Sequence, residues 1–191
     1  MTVPHTGGED DDMPKANEDV LEEGEVYFVD SSTSINPETG EKHVGATVVR
    51  LEEGEYETIV QKRLPPHFSM QAAELVVLIE ALNTAKGCAV TIYTDSAYMT
   101  TTVHGGLSRW GWRGFRRADG SPVQYAELLK ELIDAINKPT MVALVKCQPH
   151  TNNKYGISLG NAAADAASKE AAYLGREAQG EFIIKGNVEE E

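Results

Sequence analysis

A chain of 191 residues, 41% of them hydrophobic, can bury one proper core but is too short for two ordinary domains. No apolar run approaches the ~20 residues that span a bilayer, and the polar, acidic residues 1–19 lack a basic-then-apolar signal pattern. The net charge of −13 argues at first against a polyanionic partner, but nine acids and one base fall in residues 1–25 and four acids and one base in residues 181–191. Residues 26–180 hold 17 acids against 15 bases, so the acid excess lives in the tails. Cys88 and Cys147 form no CxxC or zinc spacing and read as buried free thiols.

In chain order, residues 1–24 lack periodicity and aromatics and read as a disordered acidic leader. Val26–Ser32 is a short β run ending at Asp30. His43–Leu51 and Tyr56–Lys62 are the next two strands, joined by turns at Asn36–Gly40 and Glu52–Gly54, and together they suggest an antiparallel meander. Ser69 can cap a helix in which Leu75, Leu78, Ile79 and Leu82 fall at i, i+3, i+4 and i+7, with Gly87 ending it. Ala89–Thr94 is a continuous apolar strand of the buried, parallel kind, delivering Asp95 at its carboxyl end. Ser96–His104 reads as a short helix, and Ser121-Pro122 as the start of another whose core face is Leu128, Leu129, Leu132, Ile133 and Ile136. Met141–Cys147 is the last strand and Gly160–Leu174 an Ala-rich helix. Residues 25–176 thus predict one α/β domain, a mixed sheet flanked by helices, followed by an acidic tail over 177–191.

Four acids stand in distinctive contexts: Asp30 in Val26-Tyr-Phe-Val-Asp-Ser-Ser, Glu74 in Gln71-Ala-Ala-Glu-Leu, Asp95 in Tyr93-Thr-Asp-Ser-Ala-Tyr98, and Asp165 in Gly160-Asn-Ala-Ala-Ala-Asp. His150 precedes the last of them by fifteen residues. Any one of these alone reads as a solvated surface charge; carboxylates from separate elements, taken together, suit a hard cation such as magnesium. In this order and spacing residues 26–174 resemble a ribonuclease H domain, of the type fused to reverse transcriptase in gammaretroviruses.

The resemblance implies a five-stranded ribonuclease H-like fold with a basic protrusion, and hydrolysis of the RNA strand of RNA–DNA hybrids to leave 5′-phosphate and 3′-hydroxyl. It implies two Mg2+ ions, with Mn2+ as a substitute, about 3.5–4 Å apart. Asp30 would bridge them, with Glu74 and Asp95 completing one metal site and Asp165 the other. His150 would relay protons or help product leave. Gln71 resembles the residue that reads the minor groove, Ser69 and Tyr98 those holding the DNA strand, and Asn161 is placed to contact RNA. Ser31 stands where the family has Gly, crowding the approach of the RNA backbone, and Ala72 stands where Arg is common.

From His104 to Arg117 the chain interleaves Arg109, Arg113, Arg116 and Arg117 with Trp110, Trp112 and Phe115 and has no acid. That pattern suits a backbone-binding arm; its bland alternative is a solvated helix whose tryptophans pack on the core. The expected partner is an RNA–DNA hybrid bound by a monomer, with no membrane. A non-catalytic hybrid-binding module derived from a retroelement is the alternative, and a resolvase or exonuclease of the same fold fits the motifs poorly. The chain is expected in the cytoplasm or nucleus, or in a virion if it is a polyprotein fragment; Met1 with its acidic leader points to an independently translated chain.

Overall fold

The computed structural model describes residues 16–147 and 157–173. Strands β1 (Glu25–Ile35), β2 (Lys42–Glu52), β3 (Glu55–Leu64), β4 (Ala89–Thr94) and β5 (Met141–Lys146) form one mixed sheet in the order β3-β2-β1-β4-β5. The first three strands pair antiparallel as the turn chemistry predicts, whereas β4 and β5 join in parallel. Helix α1 (Met70–Thr84) begins where Ser69 Oγ accepts from the Ala72 amide at 3.0 Å. Its apolar face, with α4 (Ala126–Ile136), covers one side of the sheet through Tyr27, Val29, Val44 and Val48. Helix α5 (Ile157–Ala171) covers the other side, against Phe28, Val49 and Tyr93.

Two glycines set how closely α5 lies. A methyl group on Gly160 would fall within the Phe28 ring, and one on Gly45 would collide with the backbone of Ser168 and Ala172. Of the alanines around Asp165, Ala164 and Ala167 are buried, while Ala162 and Ala166 are exposed and answer to helix propensity.

Several elements differ from expectation. β1 does not end near Asp30: its antiparallel partner β2 continues to pair through Ile35↔Lys42, so the strand runs on and Asp30 lies in its middle. What stops at Phe28↔Tyr93 is the parallel pairing with β4. The segment after Asp95 is a longer helical run than predicted, made of α2 (Ala97–Thr101), a π-turn (Thr102–Gly106) and α3 (Leu107–Trp112). Gly105 and Gly106 hold a regular helix poorly, and the His104 Nε2–H donates to the Leu144 carbonyl at 2.8 Å, tying the turn to β5.

Pro122 starts no helix; it bridges Arg116 in a tight hairpin, and α4 begins four residues later, after a left-handed Tyr125. The last helix begins at Ile157 rather than Gly160, and Leu174 lies outside the described residues. Cys88 is exposed, in the turn before β4, and only Cys147 is buried. Within the leader, residues 16–24 are fastened: the Asn17 amide donates to the Val142 carbonyl at 2.8 Å, the Leu144 amide donates to Asn17 at 3.0 Å, and the Leu21 amide donates to Thr91 Oγ1 at 3.1 Å. This segment covers the outer edge of β5, one of the ways chains protect an open strand edge. No helix among the described residues is long and apolar enough to cross a membrane.

Candidate active site

Strand alternation turns Tyr27 and Val29 towards α1 and Phe28 and Asp30 towards α5. Continuing the register Phe28↔Tyr93 by two residues sets Asp30 level with Asp95, just past the end of β4. Asp165 is on the helix that Gly160 seats on Phe28. Glu74 comes from the first turns of α1 and accepts a hydrogen bond from Ser96 Oγ at 2.8 Å. Ser96 also caps α2 by accepting from the Met99 amide at 2.9 Å. One side chain therefore couples the end of β4 to the acid on α1, a role the sequence reading missed. Its signal was the Asp-Ser step before a helix, which marks an N-cap.

The electrostatics place all four acids in one neighbourhood. Burial pushes the Asp30 carboxyl up to about 8, and the charges of Asp95, Asp165 and Glu74 add to the rise against one opposing bond from the Ser31 amide. Glu74 is raised by burial and by Asp95, with the Ser96 bond opposing. The buried Cys147 thiol is pushed up to about 11 by burial, then by Asp95 and Asp30.

Among the described residues, no three acidic, thiol or imidazole groups close on a single point in this arrangement. Asp165 Oδ2 instead meets Lys169 Nζ at 3.1 Å, and Glu74 is turned onto Ser96. The donor set nonetheless fits a hard divalent cation: it offers oxygen ligands only, and burial together with neighbouring acids raises both Asp30 and Glu74. Asp30, Glu74, Asp95 and Asp165 are the residues that would hold one.

The remaining candidates separate. His150 lies outside the described residues. Ser31 is buried, and its hydroxyl donates to Met70 Sδ at 3.6 Å; the side chain faces α1, away from the face that carries Asp30. Ala72 is fully buried and serves the core. Ser69 is committed to its cap and to the Tyr125 hydroxyl, 2.5 Å away. Gln71 is exposed at the mouth of α1, and Asn161 is half-buried on α5. Tyr98 packs against the main core, its hydroxyl pushed up by burial, with Glu74 adding and a Thr102 bond opposing.

Arg109, Arg113, Arg116 and Arg117 are all exposed, on α3 and the hairpin that follows. Phe115 is buried in the core rather than presented between them. The side chains of Trp110 and Trp112 lie outside the described residues.

The sequence matches the RNase H family over residues 22–173. It is 34% identical over 147 residues to the Gag-Pol polyprotein of gibbon ape leukemia virus, an alignment covering 77% of this chain and 8% of that polyprotein. The Gag-Pol polyprotein of walleye dermal sarcoma virus is 37% identical over 133 residues, covering 68% of this chain and 7% of the polyprotein. The chain thus spans less than a tenth of the length of these relatives. Among solved structures, a foamy viral protease-reverse transcriptase in complex with RNA/DNA hybrid matches with a TM-score of 0.68 at 22% identity, covering 90% of this chain and 22% of the other. The solution structure of the PFV RNase H domain matches with a TM-score of 0.65 at 23% identity, covering 78% of this chain and 94% of that one. At such identities the structural likeness speaks for the fold.

Proposed function

The chain belongs to the ribonuclease H family, and we propose that it is an endoribonuclease cutting the RNA strand of RNA–DNA hybrids to leave 5′-phosphate and 3′-hydroxyl. The observation that carries this reading is the mutual charge of Asp30, Glu74, Asp95 and Asp165 at the end of the parallel pairing of β1 and β4. A fold that buries Asp30 among three other acids bears a standing repulsion, which a divalent cation removes. Asp30, central among them, would bridge two such ions. Glu74 and Asp95 would hold one of the two and Asp165 the other. Bound there, the pair supplies activation of a water and stabilisation of the departing 3′ oxygen. Ser96 keeps Glu74 oriented, and the seating of α5 on Phe28 keeps Asp165 within reach of Asp30. A hybrid is read by shape and 2′-hydroxyls, so little base preference follows. The test is cleavage of a labelled hybrid with magnesium and with chelator; binding without cutting would favour the non-catalytic module.

The raised Asp30 carboxyl makes a prediction with a definite sign. Its folded value of about 8 lies above its ordinary 3.8, so the metal-free fold binds the proton more tightly than the unfolded chain does. That contribution to stability is whole below about pH 4 and is lost as pH rises through about 8. In chelator, the melting temperature should fall between about pH 5 and about pH 8, and Asp30→Asn should flatten the fall. Magnesium should raise the melting temperature most at the alkaline end, because proton and cation compete for the same oxygens. A wild-type profile that the substitution leaves unaltered would place Asp30 outside the crowded cluster.

The exposed arginines are assigned to the backbone of the hybrid. Replacing Arg109, Arg113, Arg116 and Arg117 with Ala should weaken binding on all sequences alike, since phosphate contacts position without reading bases. The salt slope should flatten by up to about 3 units if all four engage, at roughly 0.7–0.9 per contact. Melting temperature measured beside binding separates this from a structural role. An unchanged slope in a well-folded variant removes the arm from the binding surface.

A further inference from the structure

The acidic leader and the basic arm are fastened to one residue of β5. The Leu144 amide donates to the Asn17 carbonyl at 3.0 Å, and the Leu144 carbonyl accepts from His104 Nε2 at 2.8 Å. Asn17 is held twice more on Val142, whose carbonyl accepts from the Asn17 amide at 2.8 Å and from its Nδ2 at 3.1 Å. Ala16, the first described residue, packs against the main core. His104 lies in the π-turn that leads into α3, and α3 opens the segment that carries the four exposed arginines.

Residues 1–15 lie outside the described residues, but their sequence sets their charge and their reach. Glu9, Asp10, Asp11 and Asp12 form a run of four acids, five to eight positions before Asn17. At full extension that length of chain spans at most roughly 17–29 Å. Arg109 stands five residues beyond His104, so four acids start within reach of an arm bearing four arginines. Arg109 gives a guanidinium hydrogen to the Gly105 carbonyl at 3.1 Å, and Arg116 gives one to the Gly120 carbonyl at 2.8 Å. Carbonyls are neutral, so these bonds leave both charges uncompensated, and each guanidinium has further N–H donors to offer. The acids at Glu189–Glu191 set out from a different place. Tyr173, after the end of α5, lies against His43 of β2 and Ser34 of β1, on the other side of the sheet from β5.

We propose that the run Glu9–Asp12 folds back onto the basic arm and occupies it until a nucleic-acid backbone displaces it. The assignment rests on the hybrid-nuclease reading above for what the arm binds, and adds the chain's own leader as a competitor for that surface. Fastening both segments at Leu144 makes their encounter intramolecular, with an effective concentration on the order of mM for a short linker. The attraction is coulombic and therefore strongest at low salt, since the Debye length falls from about 30 Å at 0.01 M to about 10 Å at 0.1 M. A duplex carries a charge every ~1.7 Å of its axis and releases condensed counterions when bound. Four carboxylates on a single chain lack that second source of free energy, so a duplex takes the arm from the leader.

The test neutralises the run in the full chain by Glu9→Gln, Asp10→Asn, Asp11→Asn and Asp12→Asn, and measures hybrid binding in chelator, where nothing is cut. Neutralisation should tighten binding by roughly 3–10-fold at low salt, the gain from freeing an arm that is about 70–90% occupied. The gain should shrink as salt rises. With Arg109, Arg113, Arg116 and Arg117 replaced by Ala, the same four substitutions should change binding by less than about 2-fold, because their shared partner is gone. Melting temperatures check that each variant folds. A gain that persists without the arginines is repulsion between leader and duplex at a distance, and overturns the contact. So does the absence of any gain, or a gain of equal size from Glu189→Gln, Glu190→Gln and Glu191→Gln. A second readout needs no nucleic acid. Trp110 and Trp112 are the chain's two tryptophans, and both fall between Arg109 and Arg113 in sequence. Quenching of their fluorescence by iodide, measured against neutral acrylamide, should rise when the run is neutralised, because uncovered arginines gather the anion. Unchanged iodide quenching overturns the contact. If no variant binds hybrid while the iodide quenching rises, the nuclease reading fails and the contact between leader and arm stands.

Discussion

Asp95→Asn should reduce magnesium-dependent hybrid cleavage by at least ~10²–10³-fold, the scale on which loss of one preorganised charge-stabilising group is felt, and its proposed place as a metal ligand argues for a fall to background. Asn keeps the shape of the side chain and loses only the charge. The backbone that sets position 95 is β4, flanked on both sides by β1 and β5 and fully buried from Val90 to Thr94. The fold should survive intact. In chelator the variant should melt at the same temperature as wild type or higher, because Asp95 is among the charges that raise both Asp30 and Glu74. Binding of hybrid in chelator should be retained. A gel assay of cleavage, read beside a melt and a binding isotherm, gives all three results. Cutting at a near-normal rate would sink the assignment of Asp95 to the metal site.

The order of strands and helices was legible because it rests on local pattern. β4 is apolar throughout, α1 carries its cap and its i, i+3, i+4 face, and the turns of the meander are spelled in Gly, Asn and Pro. What failed to show is decided by partners distant in sequence. Ser31 and Ser32 look like the end of a strand, but β2 keeps pairing with them. Pro122 looks like a first helical residue, but its neighbour Val123 donates to the Phe115 carbonyl at 3.0 Å and the pair closes a hairpin instead. Asn17 sits in an acidic stretch without periodicity, and a single bridge to Ala143 has no pattern to leave.

The same division holds at the site. Each candidate acid was singled out by its immediate neighbours and the resemblance they carry, as in Tyr-Thr-Asp-Ser after an apolar strand and Gln-Ala-Ala-Glu at a helix start. The contacts that orient those acids were not, because they join elements far apart in the chain. Ser96 to Glu74 spans 22 residues, and the hydroxyl of Ser31 reaches Met70 across 39. Lys169 on Asp165 is an ordinary i, i+4 pair, visible in the sequence in principle. Ser31 is the instructive case. As a departure from Gly it is expected to crowd the approach of the RNA backbone; strand alternation turns it to the face opposite Asp30, where its hydroxyl meets Met70 at the start of α1.

His150→Ala should slow cleavage by ~10²–10⁴-fold without abolishing it, the usual worth of positioned acid–base help. His150 lies outside the described residues, three positions beyond Cys147, the last described residue after β5. Cys147 follows the end of β5, its amide donating to the Thr94 carbonyl at 2.7 Å, one residue before Asp95. Its thiol feels the charges of both Asp95 and Asp30. Three further residues can extend about 10 Å, which is ample for an imidazole to reach substrate held at those acids. A group that moves protons there, and holds no ion, affects the rate and leaves the ion in place. Magnesium affinity measured by the rise in melting temperature should therefore match wild type in His150→Ala and fall in Asp95→Asn. Added imidazole should restore part of the rate to the first variant and none to the second. If His150→Ala loses magnesium affinity to the same extent as Asp95→Asn, the histidine is a ligand or a structural residue, and the proton-relay role goes with it.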